Sequence, residues 1–431
     1  MSRRDNFLDQ SAWWICAILL AALPFHAFLF TWLKSFFWTE NWTILAQAWK
    51  EILVGFLVIL AIGKFWQKRK LPAEKSFWLG GILVILAIFY AIFDDGVWGQ
   101  KILGLRTATL FLGIFLAVRF FDFKKLEIER LKKIILVSGG GVILFALLQK
   151  FLLPPDFLVN FGYSANVSSW LPGGNLPAYH LVGASETIRL QSTFAGPNQL
   201  AAFLLVILPL TITEFWQSWK KFGAAKGSLE GGDWWKWFLI FVTLGGIFVL
   251  IFTFSRSAWL GAIGIFLIFA IEMWRKNLSR KIKQRIFFGG IAAILGGIIL
   301  LFSNQNFGEI FWRAASTSEH FERTTTAAQL VWENPLGLGL GKSAGISQRF
   351  GEDITPENTY LGVALELGWL GGILFLIFCG QLLWELKKVD SPLFFSLAGI
   401  LVIMFFLHPL EDAPTALTLF LLAGVLNTTR S

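Results

Sequence analysis

Two arginines, a glutamate and a glycine-rich stretch hold most of the chemistry that this 431-residue chain offers. Arg189 precedes Leu190-Gln191-Ser192-Thr193-Phe194-Ala195-Gly196-Pro197-Asn198, where an apolar run begins. Pro197 suits a first helical turn, so a helix start with free backbone N–H groups is expected there. Such an end attracts anions, and a nearby arginine adds a full charge and a bidentate fork. Arg256 lies in Thr253-Phe254-Ser255-Arg256-Ser257, the only polar cluster inside an apolar stretch of about 40 residues, twice the length of one span, so the chain must turn there. The two arginines fit recognition of one diphosphate, with Asn198 placed among the substrate contacts. The simpler reading of each is an interfacial side chain reaching for lipid headgroups.

Glu357, in Thr355-Pro356-Glu357-Asn358-Thr359-Tyr360, opens another apolar run. A carboxylate there either caps the helix through its dipole or, held within hydrogen-bond reach of a hydroxyl, accepts its proton. Asn358 is placed to orient a sugar or the base. His320, near Glu319 and Arg323, is a second base candidate or an idle surface histidine, and both His320 and Arg323 are counted with the substrate contacts. Gly337-Leu338-Gly339-Leu340-Gly341-Lys342-Ser343 looks like a phosphate-cradling loop, but Leu336 stands where that motif needs glycine. A close-packing loop is the better account. The acidic pairs Asp94-Asp95 and Glu411-Asp412 read as solvated, so neither a metal nor a cofactor is expected.

The elements that position these residues must lie in a membrane. Hydrophobic residues make up 55 % of the chain and charged residues 15 %, against about 25 % charged in a globular domain; mean hydropathy is +0.64. A soluble enzyme, a secreted disulfide scaffold and a disordered chain are excluded. Apolar runs long enough to span fall near 12–33, 44–66, 76–93, 102–120, 132–153, 193–216, 235–254, 256–275, 286–302, 359–386, 390–408 and 413–428. The first is too long for a cleaved signal peptide. The expected fold is all-α and integral to the membrane, one polytopic domain over 1–431 with about 12 transmembrane helices.

The net charge of +9 sorts by loop. Of 37 Lys and Arg, 26 fall in alternate connections and both termini, 8 on the other side, and the rest inside or at the edges of spans. That bias puts both termini in the cytoplasm and makes the basic residues topology signals rather than a nucleic-acid surface. Two outer loops are long, 154–188 and 303–358, and the second contains an amphipathic helix running from Glu319 to Trp332. No pair of matched, interrupted spans is apparent, which argues against the rival reading of a multispan solute transporter.

Three segments together resemble the O-antigen ligase/polymerase superfamily of bacterial membrane glycosyltransferases. They are Arg189 with Thr193-Phe194 and Pro197-Asn198; Thr253 through Gly261; and Glu333-Asn334-Pro335-Leu336-Gly337, followed by Pro356-Glu357-Asn358 and Glu366-Leu367-Gly368. The resemblance covers roughly 185–375. It implies a class C glycosyltransferase fold, with short helices in the long outer loop, at the outer (periplasmic or extracellular) face of the plasma membrane. It also implies metal-independent transfer of a glycan from a polyprenyl diphosphate carrier to a sugar hydroxyl of a lipid A-core type acceptor, among membrane lipids. The alternative within the superfamily is an O-antigen or exopolysaccharide polymerase. Arginines matching Arg189 and Arg256 would bind the diphosphate. Ligases of the family carry histidine before the asparagine, where this chain has Glu357.

Overall fold

A computed structural model describes residues 3–36, 40–165, 175–183, 186–224, 233–275, 314–352 and 354–427. In chain order the helices are α1 (Arg3–Ala22), a 3-10 turn (Leu23–Phe25), α2 (His26–Phe36), α3 (Glu40–Lys68), α4 (Lys75–Phe93), α5 (Trp98–Val118), α6 (Lys125–Phe151), α7 (Pro197–Ala224), α8 (Asp233–Phe252) and α9 (Arg256–Arg275). After them come α10 (Ala314–Glu333), α11 (Ala344–Arg349), α12 (Thr359–Val389), α13 (Ser391–Ile403) and α14 (Ala413–Asn427). A second 3-10 turn (Phe157–Phe161) and an antiparallel ribbon, β1 (His180–Leu181) with β2 (Ile188–Arg189), lie between α6 and α7.

The chain is an all-α, multi-pass membrane protein. Among the described residues, seven helical stretches are long and apolar enough to cross a membrane, and Pro392–Ile403 and Ala413–Leu426 are shorter apolar helices. Helices occupy every expected apolar run except 286–302, which lies outside the described residues together with the basic segment 276–285 and the start of the long loop, 303–313. The lipid-facing surface follows helical spacing. On α4, Ile82, Ile85, Phe89, Ile92 and Phe93 are all exposed, three and four residues apart, as a stripe bathed in hydrocarbon rather than water requires. The interior gathers around α14, where Leu419, Phe420, Leu421, Leu422, Ala423 and Val425 are buried all round the helix. Phe420 stacks on Phe378 at 6.1 Å and meets the edge of Phe115.

The basic connections lie together at one end of the bundle. Lys64 pairs with Asp9 at 2.7 Å, Lys132 with Asp390 at 2.7 Å and Lys387 with Glu272 at 3.0 Å. Arg119 reaches Glu385 at 3.4 Å with its guanidinium over the Phe115 ring. These pairs tie helix ends beside the basic connections to one another, α3 to α1, α6 to the start of α13 and α12 to α9, and Lys64 and Arg119 are themselves buried.

Two spans are broken, contrary to the uninterrupted helices that hydropathy suggests. Pro24 lies in the 3-10 turn between α1 and α2, where proline frees a carbonyl from the helical ladder. Thr193 fills the gap: its hydroxyl donates to Pro24 O at 2.7 Å and its carbonyl accepts from Phe28 N at 3.2 Å. The second break is Gly368 in α12, at φ +68° and ψ −176°, whose neighbour Trp369 donates its backbone N–H to Pro335 O at 2.9 Å. Each break receives a loop from the same end of the bundle, opposite the basic connections.

Candidate active site

The chain from β2 to α7 is fixed before it reaches the first arginine's partners. Ser192, with φ +53°, donates its backbone N–H to Gln149 Oε1 at 2.9 Å and its hydroxyl to Val142 O at 2.7 Å. Gln191 donates to Pro177 O and Ala178 O, at 3.0 and 3.2 Å. On this base Leu190 N reaches Phe252 O at 3.0 Å, and Arg189 Nε donates to Thr253 O at 2.8 Å while Nη2 donates to Asn198 Oδ1 at 2.7 Å. Arg189 therefore docks on the turn that carries Arg256, and Asn198 holds the guanidinium.

Arg256 is the first residue of α9 and Pro197 the first of α7. A Cβ added at Gly261 would lie 2.8 Å from both Leu205 of α7 and Ile403 of α13, so the two helix starts stand side by side. Two positive helix termini, each worth roughly half a charge, thus stand beside the turn that carries Arg256 and on which Arg189 docks. His180, opposite Arg189 in the ribbon, bonds Gln191 through Nδ1 at 2.5 Å. Burial, with the Arg189 charge acting in the same direction against the Gln191 bond, pushes its imidazole down to about 4. Sequence reading gives His180 no role, because a lone loop histidine carries no spacing signal.

The glycine-rich stretch is a packing loop. Leu338 N bonds Leu365 O at 2.6 Å, Gln100 Nε2 donates to Gly341 O at 3.0 Å, and Ser343 Oγ donates to Glu366 Oε1 at 2.8 Å. Gly341, at φ +74°, lies so close to α5 that a Cβ there would stand 2.5 Å from Gln100 O, and one on Gly104 would stand 2.7 Å from the Leu340 carbonyl carbon. The main chain is spent on protein contacts, as the missing glycine at Leu336 leads one to expect.

This loop delivers the chain to Glu357. The glutamate has φ +47°, a left-handed conformation uncommon outside glycine. Its carboxylate meets His320 Nδ1 of α10, and Arg323 Nη1 lies 3.6 Å away. Arg323 also donates to Thr355 Oγ1 at 2.7 Å and to Glu319 at 2.6 Å. Burial alone would raise the Glu357 carboxyl; the His320 bond and field, then the Arg323 charge, hold it below the ordinary carboxylate range. Helix α10 begins at Ala314, earlier than the expected Glu319, and turns one polar face, His320, Arg323 and Thr324, toward the 355–357 segment.

Asn358 is committed to structure. Its Oδ1 caps α12 by accepting from Leu361 N at 3.0 Å, and its Nδ2 donates to Phe405 O at 3.2 Å. Asn358→Ala is expected to cost about 1 kcal/mol, the usual worth of such a cap, read as a lowered melting temperature of the purified protein. His408, in the connection after α13, is a residue that sequence reading leaves aside. It shares a mostly apolar recess with Glu366 and Glu411, its buried Nε2 has no hydrogen-bond partner among the described residues, and burial pushes it down to about 4. Among the described residues no group of three or more His, Cys, Asp or Glu is arranged to hold a metal ion.

The two clusters occupy the same end of the bundle. Thr359 N bonds Met404 O at 2.8 Å, just beyond the end of α13, and Ile403 there packs under the first turns of α9. Residues 239–376 match the O-antigen ligase family. The match runs from α8 into α12, about a third of the chain. The matched stretch takes in Arg256, His320, Arg323, Glu357 and Asn358, while Arg189 and Asn198 precede it. The chain is also 26 % identical, over 398 residues, to a ComP-specific O-oligosaccharyltransferase from Acinetobacter baylyi (strain ATCC 33305 / BD413 / ADP1). The similarity covers 87 % of the chain and 64 % of that relative's length.

Proposed function

We propose that this protein transfers a glycan from a polyprenyl diphosphate carrier to an acceptor hydroxyl at the outer face of the plasma membrane. The observation that carries the reading is the corner where Arg189, Asn198 and the Arg256 turn meet at two helix starts. In glycosyl transfer from such a donor, negative charge accumulates on the departing diphosphate, and donors fixed in advance at that point lower the barrier. Arg189 and Arg256 supply the charge; Asn198 positions Arg189. The Glu357 cluster, with Arg323, receives the acceptor hydroxyl and its proton, a role that requires no metal. An O-oligosaccharyltransferase, by its name, moves an oligosaccharide onto an oxygen, which supports a hydroxyl acceptor of the ligase kind over chain extension by a polymerase. A lipid A-core type sugar is the acceptor we infer.

The sorted basic residues support both termini in the cytoplasm and the site on the opposite side. The whole chain forms one polytopic domain, with 303–358 as its long outer loop. Incubating the purified protein with a lipid-linked oligosaccharide and a lipid A-core glycan should give a larger acceptor product. Absence of any glycan release, with Arg189→Ala and Arg256→Ala behaving as wild type, would overturn the reading.

A further inference from the structure

The pairing of Glu357 with His320 divides labour between them in a way that neither residue reveals alone. The carboxylate contacts the imidazole at Nδ1. A carboxylate in that position fixes the tautomer with the proton on Nδ1 and leaves Nε2 as the lone-pair nitrogen. Among the described residues Nε2 has no hydrogen-bond partner, and the side chain is 39 % exposed, so a substrate can reach it. The carboxylate itself is crowded: one oxygen faces His320 and the other lies 3.6 Å from Arg323. A carboxylate held below its ordinary range by these neighbours is a weak proton acceptor and a good orienting anion.

The surroundings show that the pair is built and not a chance surface contact. Glu357 is held in a left-handed backbone conformation, between the Pro356 carbonyl that receives Thr324 and the Asn358 cap of α12. Arg323, one turn along α10 from His320, is tied to Thr355 and so locks the helix over the loop. The imidazole therefore comes from one element and its orienting anion from another, and the tie between the two elements runs through their own neighbours.

We propose that His320 is the proton acceptor of the transfer reaction and Glu357 its positioning residue. The inference rests on the glycan-transfer reading above. In the step, the acceptor hydroxyl's proton passes to His320 Nε2 as that oxygen's electron pair forms the new bond to the anomeric carbon. The bond from that carbon to the diphosphate oxygen breaks, and its electron pair leaves with the diphosphate. Glu357 stays ionised and stabilises the imidazolium that forms.

The test uses the full-length protein and a fluorescent polyprenyl-diphosphate oligosaccharide, and reads glycan release to the acceptor or to water. His320→Ala should lower turnover on the order of 10²–10⁴-fold with the donor KM unchanged, and added imidazole should restore it at least tenfold. Glu357→Gln should fall about tenfold to a hundredfold and gain nothing from imidazole, because its own imidazole is still in place. His320→Gln, a milder change to packing, should be as inactive as the alanine variant. Turnover of His320→Gln near wild type, or no restoration of His320→Ala by imidazole, overturns the assignment. In either case wild-type glycan release still stands, whereas a wild type that releases none defeats the underlying reading instead.

Discussion

Arg256→Ala is expected to lower kcat for glycan transfer by about 10²–10³-fold, the cost of removing one fixed donor from a developing anion. The residue opens α9, so its charge adds to the dipole of that helix at the point where a diphosphate would gain charge. Because that gain belongs to the transition state, the loss should appear in kcat more than in the donor KM. Arg256→Lys keeps the charge but loses the planar fork, and should fall between wild type and alanine. Initial rates across donor concentrations decide the matter. A raised KM at unchanged kcat would make Arg256 a binding residue only. Arg189→Ala should lose activity too, but for mixed reasons, since its guanidinium also ties Asn198 to the Thr253 turn. The double variant should lose less than the product of the single losses, because the two arginines share one turn.

The largest structural effect is expected at Gly104. Overpacking usually costs about 1–3 kcal/mol, because side chains can shift. Here the obstruction is main chain on both sides: a Cβ would overlap the Gly341 nitrogen and press on the Leu340 carbonyl carbon. Gly341 cannot retreat, since it lies against Gln100 and is anchored by the bond from Gln100 Nε2 to its carbonyl. Gly104→Ala should therefore sit at or above the upper end of that range and release the loop that leads to Glu357. Gly81 supplies the control, because a Cβ there meets nothing within 4 Å. Gly81→Ala should be neutral or stabilise by roughly 0.5–1 kcal/mol through helix propensity. Thermal unfolding in detergent, followed by the soluble fraction after heating, separates the two. Equal melting points would show that the loop is not wedged as described.

Much of this is legible in the sequence alone. Span positions follow from uninterrupted apolar length, which hydrocarbon imposes more strictly than water imposes a core. The Arg256 turn was legible because a charged pentad between two runs has nowhere else to go, and Pro197 marks a helix start by its own geometry. The breaks at Pro24 and Gly368 were not, since proline and glycine are tolerated inside membrane helices and only the partner, Thr193 or Pro335, shows what the break is for. Nor was the His320–Glu357 pair: 37 positions separate the two residues, and no local periodicity links α10 to the loop before α12. Asn358, named among the substrate contacts, also caps α12 through its Oδ1, a bond that no sequence spacing announces.

The two halves of the site are fastened by different means. The arginine corner is fastened partly by main chain alone, Leu190 N to Phe252 O, and partly by the Arg189 side chain on the Thr253 carbonyl. Helix α10 is joined to the 355–357 loop through side chains, Arg323 to Thr355 and Thr324 to Pro356. Main-chain fastenings survive most substitutions, whereas side-chain ones are rewritten by single codons. Under the proposed function, a lineage could thus exchange the surface around His320 and Glu357 while inheriting the arginine corner intact, and descendants serving different acceptors would share one donor.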